Sequence, residues 1–197
     1  MFAGSSSGTA RGRQRLCRHR VKTLFEPSGS ALYEFALTMP FLVVLAIGMV
    51  DFGQAWNLKQ KLSNAAREGA RFGASQSTVD LGEGNPPSVT AIGNVVANYL
   101  TSAGLTQCAN STDWTEAQSG LQWTYTSPDP GCGAFSLVID RSYSGIAVAG
   151  TTVVATHLTL NYPYTWTFNH VIGLLVRGAN PSLPSTISSD AVMQNVP

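Results

Sequence analysis

Charge is what this sequence has least of. Only 12% of its 197 residues are Asp, Glu, Lys or Arg, against 44% hydrophobic, an apolar balance for a soluble protein. The charge present is sorted along the chain. Before Gly29, six basic residues (Arg11, Arg13, Arg15, Arg18, Arg20, Lys22) face a single acid, Glu26. After Phe72, only Arg141 and Arg177 oppose seven acids (Asp80, Glu83, Asp113, Glu116, Asp129, Asp140, Asp190). A basic amino-terminal segment can bind nucleic acid. An apolar run follows this one so closely that a cytoplasmic topogenic flank is the better reading, with no nucleic-acid partner.

Catalytic signatures are missing too. "GSSSG" at Gly4–Gly8 has the G-x-S-x-G form, but no strand precedes it and no helix follows, which excludes a nucleophile elbow. His157 and His170 lie 13 residues apart with no carboxylate at ligand spacing, so no metal site is expected. No glycine loop that could cradle phosphate and no internal repeat is present. Neither catalytic residues nor a cofactor is therefore expected. Asn110-Ser111-Thr112 forms an N-x-T sequon, which matters only in a host that glycosylates exported proteins.

A long apolar segment is present. Phe35 to Val50 contains one polar residue, Thr38. Sixteen helical residues cover roughly 24 Å, short of a ~30 Å hydrocarbon core, so a span must extend from about Ala31 toward Trp56. That extension takes in Glu34 and Asp51, and Pro40 lies inside the run and is expected to bend or loosen the helix. No A-x-A-like site closes the run as in a cleaved secretory signal. Six basic residues on the near side against four beyond (Lys59, Lys61, Arg67, Arg71) favour a cytoplasmic amino terminus.

Three cysteines fit this topology. With the basic segment cytoplasmic, Cys17 stays reduced, while Cys108 and Cys132 make an even pair in an oxidising compartment. A bridge between them would stabilise by roughly 3.5 kcal/mol in the chain-entropy picture. The alternative is two unpaired thiols.

Periodicity organises the remainder into an α+β protein: a long amino-terminal membrane-spanning helix, then a small exported head with one further helix and an antiparallel sheet. Residues 1–29 read as a basic cytoplasmic leader, and 30–73 as the long helix with its transmembrane part first. Residues 74–87 read as a linker and 88–197 as the extracytoplasmic head. Ser88 is expected to cap the second helix, with Val89, Ile92, Val95, Val96, Tyr99 and Leu100 on one side and Gly104 at its end. Period-two alternation then marks strands at Leu121–Tyr125, Phe135–Ile139 and Val154–Tyr162, and a last strand is expected within "SLPSTISSDAVMQ". "YPYTWTFNHVIGLL" connects strands, either as a loop folded over the core or as a contact with a partner or membrane surface.

Glu34 poses the sharpest question, because an ionised carboxylate in an apolar helix costs several kcal/mol unless paired. If the chain is cut after Gly29, the new amine of Ser30 lies about one helical turn from Glu34. Otherwise Glu34 is a boundary residue reaching outward, and Gly29 is coincidental. Glycine, a cut, Ser30-Ala31-Leu32-Tyr33, Glu34 and Phe35 resemble a class III prepilin signal. "GSALYEFALTMPFLVVLAIGMVDFG" followed by "AAREGAR" further resembles the TadE-like family of the tight-adherence pilus system. The matching positions are Glu34, Phe35, Pro40, Asp51, Gly53, Ala66, Arg67, Gly69, Ala70 and Arg71. Two departures are Tyr33, at a usually aliphatic place, and the terminal "AVMQNVP".

The resemblance implies a minor pilin or pseudopilin-like structural subunit rather than an enzyme. Its partners would be membrane lipid, other pilin-like and Tad pilus assembly subunits, and a prepilin peptidase acting at Gly29–Ser30. Ala65, Ala66, Gly69, Ala70 and Gly73 would allow close helix approach. Arg67 and Arg71 would meet Asp51 or Glu34 of neighbouring copies, or else form a solvated face with Glu68. The competing reading is a single-pass envelope protein whose head binds a ligand or catalyses a reaction. Cleavage after Gly29 separates the two.

Overall fold

The computed structural model describes residues 27–148, 151–175 and 183–195. The fold is α+β. Helix α1 runs Pro27–Ala74, with Pro40 inside it. A 3₁₀ turn at Val79–Gly82 leads to α2, Pro87–Ser102. Five strands follow: β1 Thr115–Ser119, β2 Gln122–Thr126, β3 Ser136–Val148, β4 Thr151–Pro163 and β5 Thr186–Gln194. Helix α3, Thr167–Leu175, lies between the last two strands in sequence. The sheet is a meander of order β1-β2-β3-β4-β5 with every neighbouring pair antiparallel. By backbone contacts the chain divides into Met1–Pro40 and Phe41–Pro197, and the core described next lies in the second unit.

One face of the sheet is apolar because alternation puts Trp123 and Tyr125, Leu137 and Ile139, and Leu158, Leu160 and Tyr162 on it, all buried. Against it pack α2, through Val89, Ile92, Val96 and Leu100, and the carboxyl-terminal part of α1, through Leu58, Leu62, Ala65, Ala66 and Ala70. The small residues of α1 have an intrachain use. A Cβ on Gly69 would stand 2.5 Å from Val96 Cγ2 and 2.8 Å from Leu158 Cδ1. One on Gly73 would stand 2.9 Å from Thr156 Cγ2. The stripe expected to receive another helix of the assembly thus receives α2 and β4 of its own chain.

Cys108 and Cys132 are joined, with Cα atoms 5.7 Å apart, beside the same core. Helix α2 ends as expected at Gly104, whose φ of +83° suits glycine. The Gly104 N–H donates to Thr101 O at 3.0 Å and the Leu105 N–H to Leu100 O at 2.9 Å, the two bonds of a Schellman closure. Its start corrects the expectation for Ser88. Pro86 is the N-cap and Pro87 opens the helix, a position where the missing N–H costs nothing. Ser88 instead gives its N–H and its hydroxyl to the Asp80 carboxylate, at 2.8 and 2.9 Å.

Two elements have no counterpart in the sequence expectations. Strand β1 is an edge strand exposed along its whole length, so it shows no apolar alternation to detect. Helix α3 occupies part of the segment read as an inter-strand connection.

Candidate membrane and assembly site

Among the described residues one helix, Ser30–Ala74, is long and apolar enough to cross a membrane. A core helix of a soluble protein passes the same test only by being buried, yet the qualifying apolar window is 6% buried here. Leu32, Phe35, Leu37, Phe41, Met49 and Val50 are all exposed, apolar surface on a scale that signals a lipid or protein partner.

Glu34 sits within this exposed run. The Ser30 hydroxyl donates to Glu34 Oε1 at 3.2 Å, so the two side chains, four residues apart, meet on one face. Thr38 turns its hydroxyl back to the carbonyls of Glu34 and Phe35, at 3.0 and 3.2 Å, and presents no free polar group to its surroundings. Gly29 lies in the first turn of α1, which begins at Pro27, and the rest of the basic leader lies outside the described residues.

Asp51, at the far end of the apolar run, is 2% exposed. Its carboxylate accepts the Phe168 N–H at 2.9 Å through Oδ2 and the Tyr164 hydroxyl at 3.1 Å through Oδ1. The same hydroxyl lies 3.0 Å from the Asp51 carbonyl. Asp51 therefore places a negative charge at the amino end of α3, where unpaired N–H groups and the helix dipole favour an anion. Burial and the Asp51 carboxylate together push the Tyr164 phenol up to about 12, so Tyr164 stays a donor throughout the physiological range. Asp51 was expected to face neighbouring copies; within the chain its oxygens are already engaged.

Arg67 and Arg71 lie on the exposed side of α1. Arg71 pairs with Glu68 at 3.3 Å, and both side chains are largely solvated, an arrangement worth about 0–1 kcal/mol. The structure does not bring Arg67 or Arg71 to Asp51 within the chain.

Sequence reasoning missed Arg141. It occupies the inward-facing place after Phe135, Leu137 and Ile139 and is 1% exposed. Its guanidinium donates to Gly73 O, to Gln76 O at 3.0 Å and to Ser77 O at 3.3 Å, closing the carboxyl end of α1, and to Thr156 Oγ1 at 2.8 Å. Burial pulls the Arg141 pKa down, and the Asp80 carboxylate opposes that. Burial pushes the Asp80 carboxyl up, but the Ser88 hydrogen bonds, helped by Arg141, outweigh it and leave the group below its ordinary value. Lys61 completes the pattern by donating to Ala103 O, the C-cap of α2, at 2.7 Å. Four helix ends thus meet a side chain of the matching sign: Arg141 and Lys61 at carboxyl ends, Asp80 and Asp51 at amino ends. The signal that could have found Arg141 was the strand period, which it continues despite its charge.

Among the described residues no group of three or more His, Cys, Asp or Glu side chains is placed to hold a metal ion. No curated protein and no solved structure matches this chain. A family model described as TadE-like protein matches residues 29–71. The match begins at the glycine before Glu34 and ends at Arg71, covering the apolar run, Asp51 and the glycine-notched turn that seats α2. Over the stretch from Gly29 to Arg71 the chain is therefore similar to TadE-like protein.

Proposed function

We propose that this chain is a minor pilin or pseudopilin-like structural subunit used in assembling a tight-adherence, type IVb-like pilus. The apolar part of α1 anchors it in the bacterial inner membrane, with the amino terminus cytoplasmic and the sheet-bearing head on the other side. One observation carries this reading: a TadE-like segment begins at Gly29 and holds a carboxylate, Glu34, in an otherwise apolar exposed helix.

A prepilin peptidase removes residues 1–29, and the new amine of Ser30 joins Glu34 in place of the hydroxyl bond now seen between the same two residues. In a bundle of like helices that ammonium, from the same chain or a neighbour, offsets the cost of the buried carboxylate and fixes helix register. Arg67 and Arg71, exposed beyond the apolar run, contribute charge for contacts with other subunits. Their acceptor on a neighbour is not Asp51 unless its bonds to Tyr164 and Phe168 open.

The test has two parts. Mass spectrometry of the membrane-extracted protein should find a mature chain beginning at Ser30, and Gly29→Ala should leave the long form. Glu34→Gln should still insert and be processed but fail to co-purify with pilus partners, while Leu37→Ala co-purifies normally. An intact amino terminus in the wild type would favour an ordinary anchored envelope protein. Wild-type co-purification of Glu34→Gln would end the register role.

A further inference from the structure

We propose that α3 is a second membrane contact, a short apolar helix lodged in the leaflet on the head's side of the bilayer, next to the point where α1 leaves it. The inference rests on α1 being a membrane span. Its height is fixed by two contacts. The Phe168 N–H is held by Asp51 Oδ2 at 2.9 Å, and the Phe168 ring lies against Gly48, where an added Cβ would stand 3.6 Å from Cε2. A span of about 20 residues that starts at Ala31 ends at Val50 and puts Asp51 at the hydrocarbon boundary. Gly48 then lies about 4.5 Å inside it. The Phe168 backbone accordingly sits at that boundary and its ring reaches into hydrocarbon depth, whichever way the helix runs.

The chemistry of the surroundings agrees with that depth. The helix sequence TFNHVIGLL has no Asp, Glu, Lys or Arg. Val171 and Ile172 are only half-buried and Gly173 is exposed in the single chain. Nine residues are too few to cross a bilayer, so such a helix lies along or dips into the interface. Aromatic side chains gather at the same level: Phe52 and Trp56 stack on α1 with centroids 6.4 Å apart, and Tyr164 meets Trp166 at 4.9 Å. Tyrosine and tryptophan concentrate where one end is apolar and the other wet. With no Lys or Arg on α3, the attraction is apolar and needs no anionic lipid.

The full chain, with Cys17→Ser and a single environment-sensitive fluorophore on Ile172→Cys, can be reconstituted in phosphatidylcholine vesicles. Leu42→Cys and Glu83→Cys serve as reference positions, and Val171→Cys replaces position 172 if that variant misfolds. An acyl-chain nitroxide should quench position 172 to an extent comparable with position 42. Aqueous iodide should quench it several-fold less than position 83. Quenching by the nitroxide at position 42 without quenching at 172 overturns the proposal and leaves the span intact. No nitroxide quenching at position 42 removes the span, and with it the argument for α3.

Discussion

Replacing Gly69 with alanine adds one methyl group, and the structure gives that carbon no room. It would arrive 2.5 Å from Val96 Cγ2 and 2.8 Å from Leu158 Cδ1, against the ~3.5–4.0 Å that carbon atoms prefer. Both neighbours are fully buried, and β-branched Val96 cannot rotate away at χ1 without strain. Helix propensity alone would reward the change by about 1 kcal/mol. Overpacking a filled core costs about 1–3 kcal/mol and occasionally more. Two simultaneous clashes put Gly69 at or above the upper end, a net loss of about 2 kcal/mol. For a chain of this size that lowers Tm by about 4–8 °C. Gly53 is the internal control: it lies in the same helix, with nothing within 4 Å of its would-be Cβ. Gly53→Ala should therefore gain up to about 1 kcal/mol. Thermal unfolding in detergent, followed by near-ultraviolet circular dichroism from the buried Trp123, reads both variants. If Gly69→Ala unfolds at or above the wild-type temperature, the notch between α1, α2 and β4 is not what the glycine provides.

Arg141→Met keeps the apolar stem but orphans the carbonyls at the end of α1, and should destabilise the head by about 3 kcal/mol, measured by urea titration. Asp80 has a folded pKa below its unfolded one. Its contribution is thus present above the unfolded pKa of about 3.9 and is lost as pH falls through the folded value; Asp80→Asn should flatten this part of the acid limb. Cys108 and Cys132 should resist alkylation in the denatured, unreduced protein, and reducing their bridge should cost roughly 3.5 kcal/mol for its loop. Two readily labelled thiols would refute the bridge.

Long-period and short-period patterns carried most of the fold in the sequence. The amphipathic α2 and the alternation at Trp123–Tyr125, Leu137–Ile139 and Leu158–Tyr162 each bury the expected face, and the apolar run forms the exposed part of one long helix. What escaped had its cause elsewhere in the chain. Helix α3 is rich in β-branched and aromatic residues, and the acceptor for its second N–H is Asp51, 117 positions away; no local cap announces it. Strand β1 has no buried residue to set a period. Along β4 the alternation slips near Ala155, buried beside buried Thr156, where β3 pairs irregularly between Tyr143 and Ile146. For the candidate site, the positions of Glu34, Asp51, Arg67 and Arg71 stood out as polar interruptions and repeats. Their partners did not, because the residues that engage Asp51 lie beyond the fourth strand.

The carboxyl-terminal part of α1 is as much a wall of the head's core as α2 is. Leu58, Leu62, Ala65, Ala66 and Ala70 are buried there, and Arg141 grips the last carbonyls of the helix from β3. Between residues 55 and 74 there is consequently no swivel: a torque on that stretch of helix turns the sheet with it, without a hinge to absorb the motion. The same arrangement decides where the polypeptide can be cut. A head released at residue 74 or 87, where composition suggests a linker, would leave Ile92, Val96 and Leu158 facing water where α1 had been. A cut that keeps the head whole has to fall before Asp51, which Tyr164 and Phe168 also hold, and so inside a helix.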